Sequence, residues 1–168
     1  ADTGWSVSFS PDGNYMAVAH DASPYITIYK RNGDTFTKLP NPSSLPANTG
    51  YGVSFSPDGN YMAVAHDDSP YITIYERNGN TFTKWPNPSS LPAGTGRGVA
   101  FSPDGSYMAV AHDDSPYITI YKPRQTAIPT GNSLSALIPA LSDAAALGYA
   151  KEAGVSGEKK TIIRIWRK

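Results

Sequence analysis

Apolar and polar residues alternate in short bursts along most of the chain. Val53-Ser54-Phe55-Ser56 puts two apolar side chains on one face and two hydroxyls on the other, the period-2 signature of a half-buried strand. Ser56-Pro57-Asp58-Gly59 follows as a turn: Pro fixes φ, Asp bonds its own backbone, and Gly accepts φ > 0. Tyr61–His66 predicts a second strand. Tyr71–Tyr75 predicts a third, with Ile72 and Ile74 on one face and Tyr71, Thr73 and Tyr75 on the other. Arg77-Asn78-Gly79-Asn80 supplies an Asn-Gly hairpin turn, and Thr81–Trp85 a fourth strand. The prolines of the connector, Pro86, Pro88 and Pro92, forbid a helix there. Phe55, Ile72 and Ile74 are the expected core, lying between sheets.

This pattern recurs. Phe9, Phe55 and Phe101 stand 46 residues apart, each opening Phe-Ser-Pro-Asp-Gly, and His20, His66 and His112 keep the same spacing. Trp5–Gly50 and Tyr51–Gly96 differ at only seven of 46 positions (5/51, 6/52, 22/68, 30/76, 34/80, 39/85 and 48/94), leaving 46 − 7 = 39 identical. Such identity implies a recent duplication or a deliberately repeated design. A third copy runs from Arg97 to Lys122.

Four antiparallel strands in about 40–50 residues make the blade of a β-propeller. The repeat resembles the WD-repeat family on Gly52-Val53-Ser54-Phe55-Ser56-Pro57-Asp58-Gly59 and on Tyr71-Ile72-Thr73-Ile74-Tyr75. It departs from that family in lacking a Gly-His pair before the first strand, and in placing Tyr75 where Trp followed by Asp is usual. The expectation is an all-β chain: two complete four-stranded blades (5–50 and 51–96), a three-stranded third (97–122), a linker over 123–141, and a β-rich tail over 142–168. The blade array spans 1–122.

Blade three lacks a fourth strand in the repeat itself, because Pro129 interrupts the segment Ala127–Gly131 that should supply it. Ala1-Asp2-Thr3-Gly4 aligns with Ala47-Asn48-Thr49-Gly50, so the chain starts inside a connector. Open edges and faces invite association. A ring closed by several chains, a head-to-tail filament, or donation of a tail strand would each cover them. Thr161–Trp166 is rich in β-branched residues and predicts such a strand. Ser142–Leu147 reads either as a short capped helix or as the approach to a strand over Ala146–Lys151. The run Leu147–Gly154 resembles the small β modules that end tailed-phage virion proteins, which implies a virion or phage-derived setting.

Charge and chemistry narrow the function. Fourteen basic and fourteen acidic residues cancel, so the basic surface that nucleic-acid binding needs is missing. No cysteine is present and no apolar run approaches the roughly 18 residues of a membrane span, so the chain reads as soluble and mature. Gly-x-Ser-x-Gly, His-Glu-x-x-His and phosphate-loop motifs are absent. Asp12, Asp58 and Asp104 fall in Pro-Asp-Gly turns, where the structural role dominates.

Each blade ends its second strand in a His-Asp pair: His20-Asp21, His66-Asp67-Asp68 and His112-Asp113-Asp114. Imidazole and carboxylate suit Zn²⁺, but Asp-Asp-Ser-Pro is turn chemistry, and a residue recurs wherever a structural unit recurs. No metal and no cofactor are expected. Trp5, Tyr51 and Arg97 share one repeat position; Leu39 and Trp85 share another. The His-Asp turns and the connectors should fall on one face, which with Trp85 makes the candidate binding surface. The expected function is a non-enzymatic structural or adhesive module that self-assembles through its repeats and tail. A multivalent glycan-binding propeller is the alternative, and an engineered or fragmentary propeller without a native ligand is another. The expected partners are further copies, a cell-surface glycan or another virion protein, with neither nucleic acid nor membrane insertion.

Overall fold

A computed structural model describes residues 3–128 and 161–167. Its strands are β1 (Gly4–Phe9), β2 (Tyr15–His20), β3 (Ile26–Asn32), β4 (Thr35–Lys38), β5 (Gly50–Phe55), β6 (Tyr61–His66), β7 (Ile72–Asn78), β8 (Thr81–Lys84), β9 (Gly96–Phe101), β10 (Met108–His112), β11 (Ile118–Ile128) and β12 (Thr161–Arg167). No helix occurs among the described residues. The first two sheets run β1-β2-β3-β4 and β5-β6-β7-β8; the third runs β9-β10-β11, with β12 next to β11. Every registered pairing is antiparallel. The chain divides into two compact units, Ala1–Pro123 with Trp166–Lys168 and Arg124–Ile165, and the blades belong to the first. The tail strand expected over Thr161–Trp166 is present as β12. The proposed helix or strand between 142 and 151 lies outside the described residues.

The expected core residues are buried, but in two different places. In β5-β6-β7, Phe55 registers with Met62 and Met62 with Tyr75, so these three share a face. With Val53, Val64 and Phe82 they pack against Tyr15, Ala17, Ala19, Ile26 and Ile28 of blade one. The opposite face of blade two, Tyr61, Ala63, Ala65, Ile72 and Ile74, packs against Met108, Val110 and Tyr121 of blade three, with Val99 and Phe101 partly buried beside them. Large side chains of each blade thus enter the space left by alanines of the blade before it, as close packing requires. Both faces of β7 are covered: Ile72, Thr73, Ile74 and Tyr75 are all buried, because the middle blade has a neighbour on each side.

Two turns also differ from expectation. Tyr71 precedes its strand instead of opening it, and sits at φ 64, as Tyr25 and Tyr117 do at 66 and 69. That left-handed conformation is costly for an aromatic residue. It points the Tyr71 carbonyl back to accept from the His66 N–H at 3.0 Å, while the Tyr71 N–H donates to Asp68 O at 2.8 Å. In the β7–β8 hairpin, Asn78 pairs with Thr81, so the loop is Gly79-Asn80. Gly79 alone takes positive φ, at 58, the requirement of a turn with Gly first rather than of an Asn-Gly pair.

The Tyr71 carbonyl also fixes how closely the next blade approaches. A Cβ at Gly96 would meet it at 2.3 Å, and one at Gly50 would meet Tyr25 O at 2.4 Å, both against backbone that cannot swing aside. Gly98, two residues on, has nothing within 4 Å of such a Cβ. Gly96→Ala should therefore cost about 2 kcal/mol or more, through overpacking, while Gly98→Ala should stay within about 0.5 kcal/mol. Thermal unfolding of both variants measures the contrast, and equal losses would show that the turn is not the point of closest contact.

Candidate functional site

The His-Asp turns and the connector ends do share a face. Asp67 N donates to Thr49 O at 3.1 Å and Asp113 N to Thr95 O at 3.2 Å, joining each turn to the connector entering its own blade. Thr95 Oγ1 donates to Asp67 Oδ1 at 3.0 Å, reaching the turn of the preceding blade. Asp21 accepts from Thr3 N at 2.7 Å, and Asp68 from Asn48 Nδ2 at 3.1 Å. Asp114 packs so closely on Gly94 that a Cβ there would come within 2.6 Å of its carboxylate.

The histidines are likewise committed to the blades. His20, His66 and His112 place Nε2 at 2.9, 2.9 and 3.0 Å from the hydroxyls of Thr27, Thr73 and Thr119 on the neighbouring strand. Each Nδ1 is buried without a hydrogen-bond partner. Burial holds the His66 imidazole neutral, its pKa lowered to about 4, with the backbone at Asp68 and Ile72 pulling less strongly the other way. Among the described residues, no three His, Cys, Asp or Glu side chains converge as a metal centre would require. Trp85 is not part of the exposed surface: it meets the Tyr61 ring edge-on at 5.7 Å and packs half-buried on the second core.

What the face does present comes from the start of each inner strand. Gly50 registers with His66 and Gly52 with Ala65, leaving Tyr51 as the extra residue of a β-bulge. Trp5 and Arg97 occupy the same bulge in blades one and three, between Gly4 and Ser6 and between Gly96 and Gly98. A bulge re-aims its side chain out of the pleat, and here it lines three different residues along one rim. The Trp5 ring, 54% exposed, meets Tyr51 edge-on at 5.6 Å. The Arg97 guanidinium lies 4.5 Å from the centre of the Tyr51 ring. Two nitrogens of Arg97 reach both oxygens of Asp113, at 2.6 to 3.0 Å. That bond holds the Asp113 carboxyl below its usual range and raises the guanidinium further.

The strip Trp5–Tyr51–Arg97–Asp113 offers aromatic surface at one end and a fixed ion pair at the other. Its carboxylate is engaged and ionised, which suits binding better than proton transfer. Among the His-Asp residues expected to form the site, only Asp113 joins it. Divergence at position 5/51/97, in repeats otherwise nearly identical, was the signal in the sequence. A separate groove between blades one and two is lined by Lys30, Arg31, Asn32, Thr37, Leu39 and Asn80, with no carboxylate in its lining.

No protein-family model matches the chain, and no curated protein matches it in sequence. Solved structures do. A candidate 6-phosphogluconolactonase from Bacteroides fragilis is 19% identical over 70% of this chain and 34% of its own, with a TM-score of 0.61. Sqt1 of Saccharomyces cerevisiae is 11% identical over 73% and 32%, at 0.60. Hydrazine synthase from Kuenenia stuttgartiensis is 18% identical over 72% and 32%, at 0.53. The chain carries β-propeller blades. At these identities the likeness concerns the fold alone, and the chain spans about a third of the length of the structures it matches.

The buried histidine gives a pH dependence of definite sign. Between its folded value of about 4 and its unfolded value of 6.5, the unfolded chain binds the extra proton at His66. Stability is then fully present above pH 6.5 and falls as pH drops towards 4, by about 3 kcal/mol in all. Melting temperature followed across that window should decline in the native protein and flatten in His66→Gln; an unchanged slope would assign the effect to another group.

Proposed function

We propose that the blades form a non-enzymatic structural and adhesive module that makes contact through the strip Trp5–Tyr51–Arg97–Asp113. The observation that carries this reading is the bulge: it aims outward a position where all three repeats differ, while the surrounding His–Thr and Asp–Thr bonds hold the scaffold. An exposed indole beside a partly exposed phenol, and a bidentate Arg–carboxylate pair, are side chains that contact surfaces favour.

Sugar binding is the second reading, supported by the exposed indole of Trp5, on which a pyranose face can stack. The three rim positions hold different side chains, so such a site would be one composite strip and not three equivalent ones. Lactone hydrolysis, suggested by the name of the Bacteroides fragilis structure, finds less support, because the strip's carboxylate is tied to arginine.

Trp5→Ala should leave stability within about 1 kcal/mol, the small loss of a half-exposed aromatic contact. A loss of several kcal/mol would make the strip a packing element and overturn the proposal. A glycan array compares the native protein with Trp5→Ala. A hit that disappears in the variant would select the sugar reading. Hydrolysis of 6-phosphogluconolactone by the purified chain would overturn the non-enzymatic one.

A further inference from the structure

The blade-to-blade joint has two chemically distinct halves, and the array leaves one copy of each bare. The receiving half in blade one is Tyr15, Ala17, Ala19, Ile26 and Ile28; the entering half in blade two is Val53, Phe55, Met62, Val64, Tyr75 and Phe82. Blade three repeats the receiving half residue for residue as Tyr107, Ala109, Ala111, Ile118 and Ile120. There Tyr107, Ile118 and Ile120 are 45, 48 and 52% exposed. Blade one repeats the entering half as Val7, Phe9, Met16, Val18, Tyr29 and Phe36, with Val7 and Phe9 58 and 55% exposed. Their counterparts in the formed joint, Val53 and Phe55, are 5 and 6% exposed.

The polar contacts of the formed joint have counterparts at the bare ends as well. In the joint, Arg77 lies 4.7 Å over the Tyr15 ring and reaches Asp12 Oδ2 at 3.4 Å, while Tyr15 OH donates to Asn80 Oδ1 at 2.8 Å. On blade three the positions of Asp12 and Tyr15 are held by Asp104 and Tyr107; on blade one those of Arg77 and Asn80 are held by Arg31 and Asp34. The cation and the carboxylate therefore sit on opposite bare faces, as the formed joint needs them, and Asp34 can accept from a tyrosine hydroxyl as Asn80 does. Ser6 and Ser8 accept from Val53 N and Phe55 N at 3.3 Å, but the third blade has Gly98 and Ala100 there, so inner-strand bridges of this kind are not repeated at every joint.

We propose that the bare face of blade three receives blade one of a second copy of this chain, rebuilding the joint already present between blades one and two. The contact is heterologous, so it propagates until rotation closes it. Propellers close at about four to eight blades, and two copies of three blades give a six-bladed ring with two such joints. This surface is separate from the rim strip, so the two proposals stand or fall independently.

Sedimentation velocity of the full chain at micromolar concentration should give a species of twice 18.0 kDa. Phe9→Asp spoils the entering face and Ile120→Asp the receiving face. Both residues are half-exposed in the single chain, so each variant should keep a cooperative unfolding transition. Either variant alone should be monomeric, with apparent dissociation raised at least tenfold. Mixed together, the two retain one intact joint, formed by blade three of Phe9→Asp and blade one of Ile120→Asp, and should form an open pair. A monomeric native chain, association that survives either substitution, a mixture that stays monomeric, or a mass that climbs past two copies with concentration would each overturn the proposal.

Discussion

Blade-against-blade packing governs this molecule, and it works because one face of the repeat is large and the other small. Val, Phe, Met and Tyr side chains project from one side of each sheet, and on the other a pair of alanines, flanked by a tyrosine and two isoleucines, leaves room for them. A single four-stranded sheet of this size has no interior; its residues become buried only when a second blade covers them. Blade two shows the result. It is the blade with a described neighbour on both sides, and its second strand is buried at every position from Tyr61 to His66. In blade one the equivalents of Met62 and Val64, Met16 and Val18, are only partly buried.

The rim follows from that packing. To bring the sheets together, β5 and β9 start against the carbonyl of the preceding left-handed tyrosine, and only glycine fits at Gly50 and Gly96. The residue after that glycine leaves the ladder register as a bulge. Tyr51 and Arg97 thus reach the rim directly after the glycines that this contact requires, and Trp5 holds the same bulge in blade one. A position freed from packing can vary without loss of fold, and this one does.

Much of the fold could be read from the residues, because repetition converts one blade's pattern into three. The Ser-Pro-Asp-Gly turn was legible since each of its residues has a local reason to be there: Gly59 takes φ 69, and Asp58 accepts from Asn60 N at 3.0 Å. Tyr71 was misplaced by one element because alternation gives no hint of a positive φ, which here is imposed by the turn and the closing bond to His66. The histidines were legible as scaffold, since Thr73 lies on the adjacent strand of the same repeat. Trp85, placed on the candidate surface from the sequence, is half-buried on the second core against Tyr61 of its own blade, a contact that alternation does not reveal. The rim strip was legible only in part: Trp5, Tyr51 and Arg97 stand out as one diverging repeat position, but a bulge leaves no periodic trace that would aim them outward.

The same repetition that makes the fold legible also constrains how the surfaces can be used. Where repeats are nearly identical, any interface that joins one to the next is also written on the outermost faces, whether or not they are covered. Natural arrays cap such faces with polar residues when they must remain alone. Here Val7, Phe9, Ile118 and Ile120 carry no such replacement, although seven other positions have diverged between the first two repeats. Two of those seven, Trp5/Tyr51 and Leu39/Trp85, are where rim and core contacts differ between blades. Change is thus tolerated at side chains beside the joint, while its apolar halves stay uniform. Uniformity at an exposed apolar face is what a joint in use would preserve, and it links the array's packing to the assembly it can build.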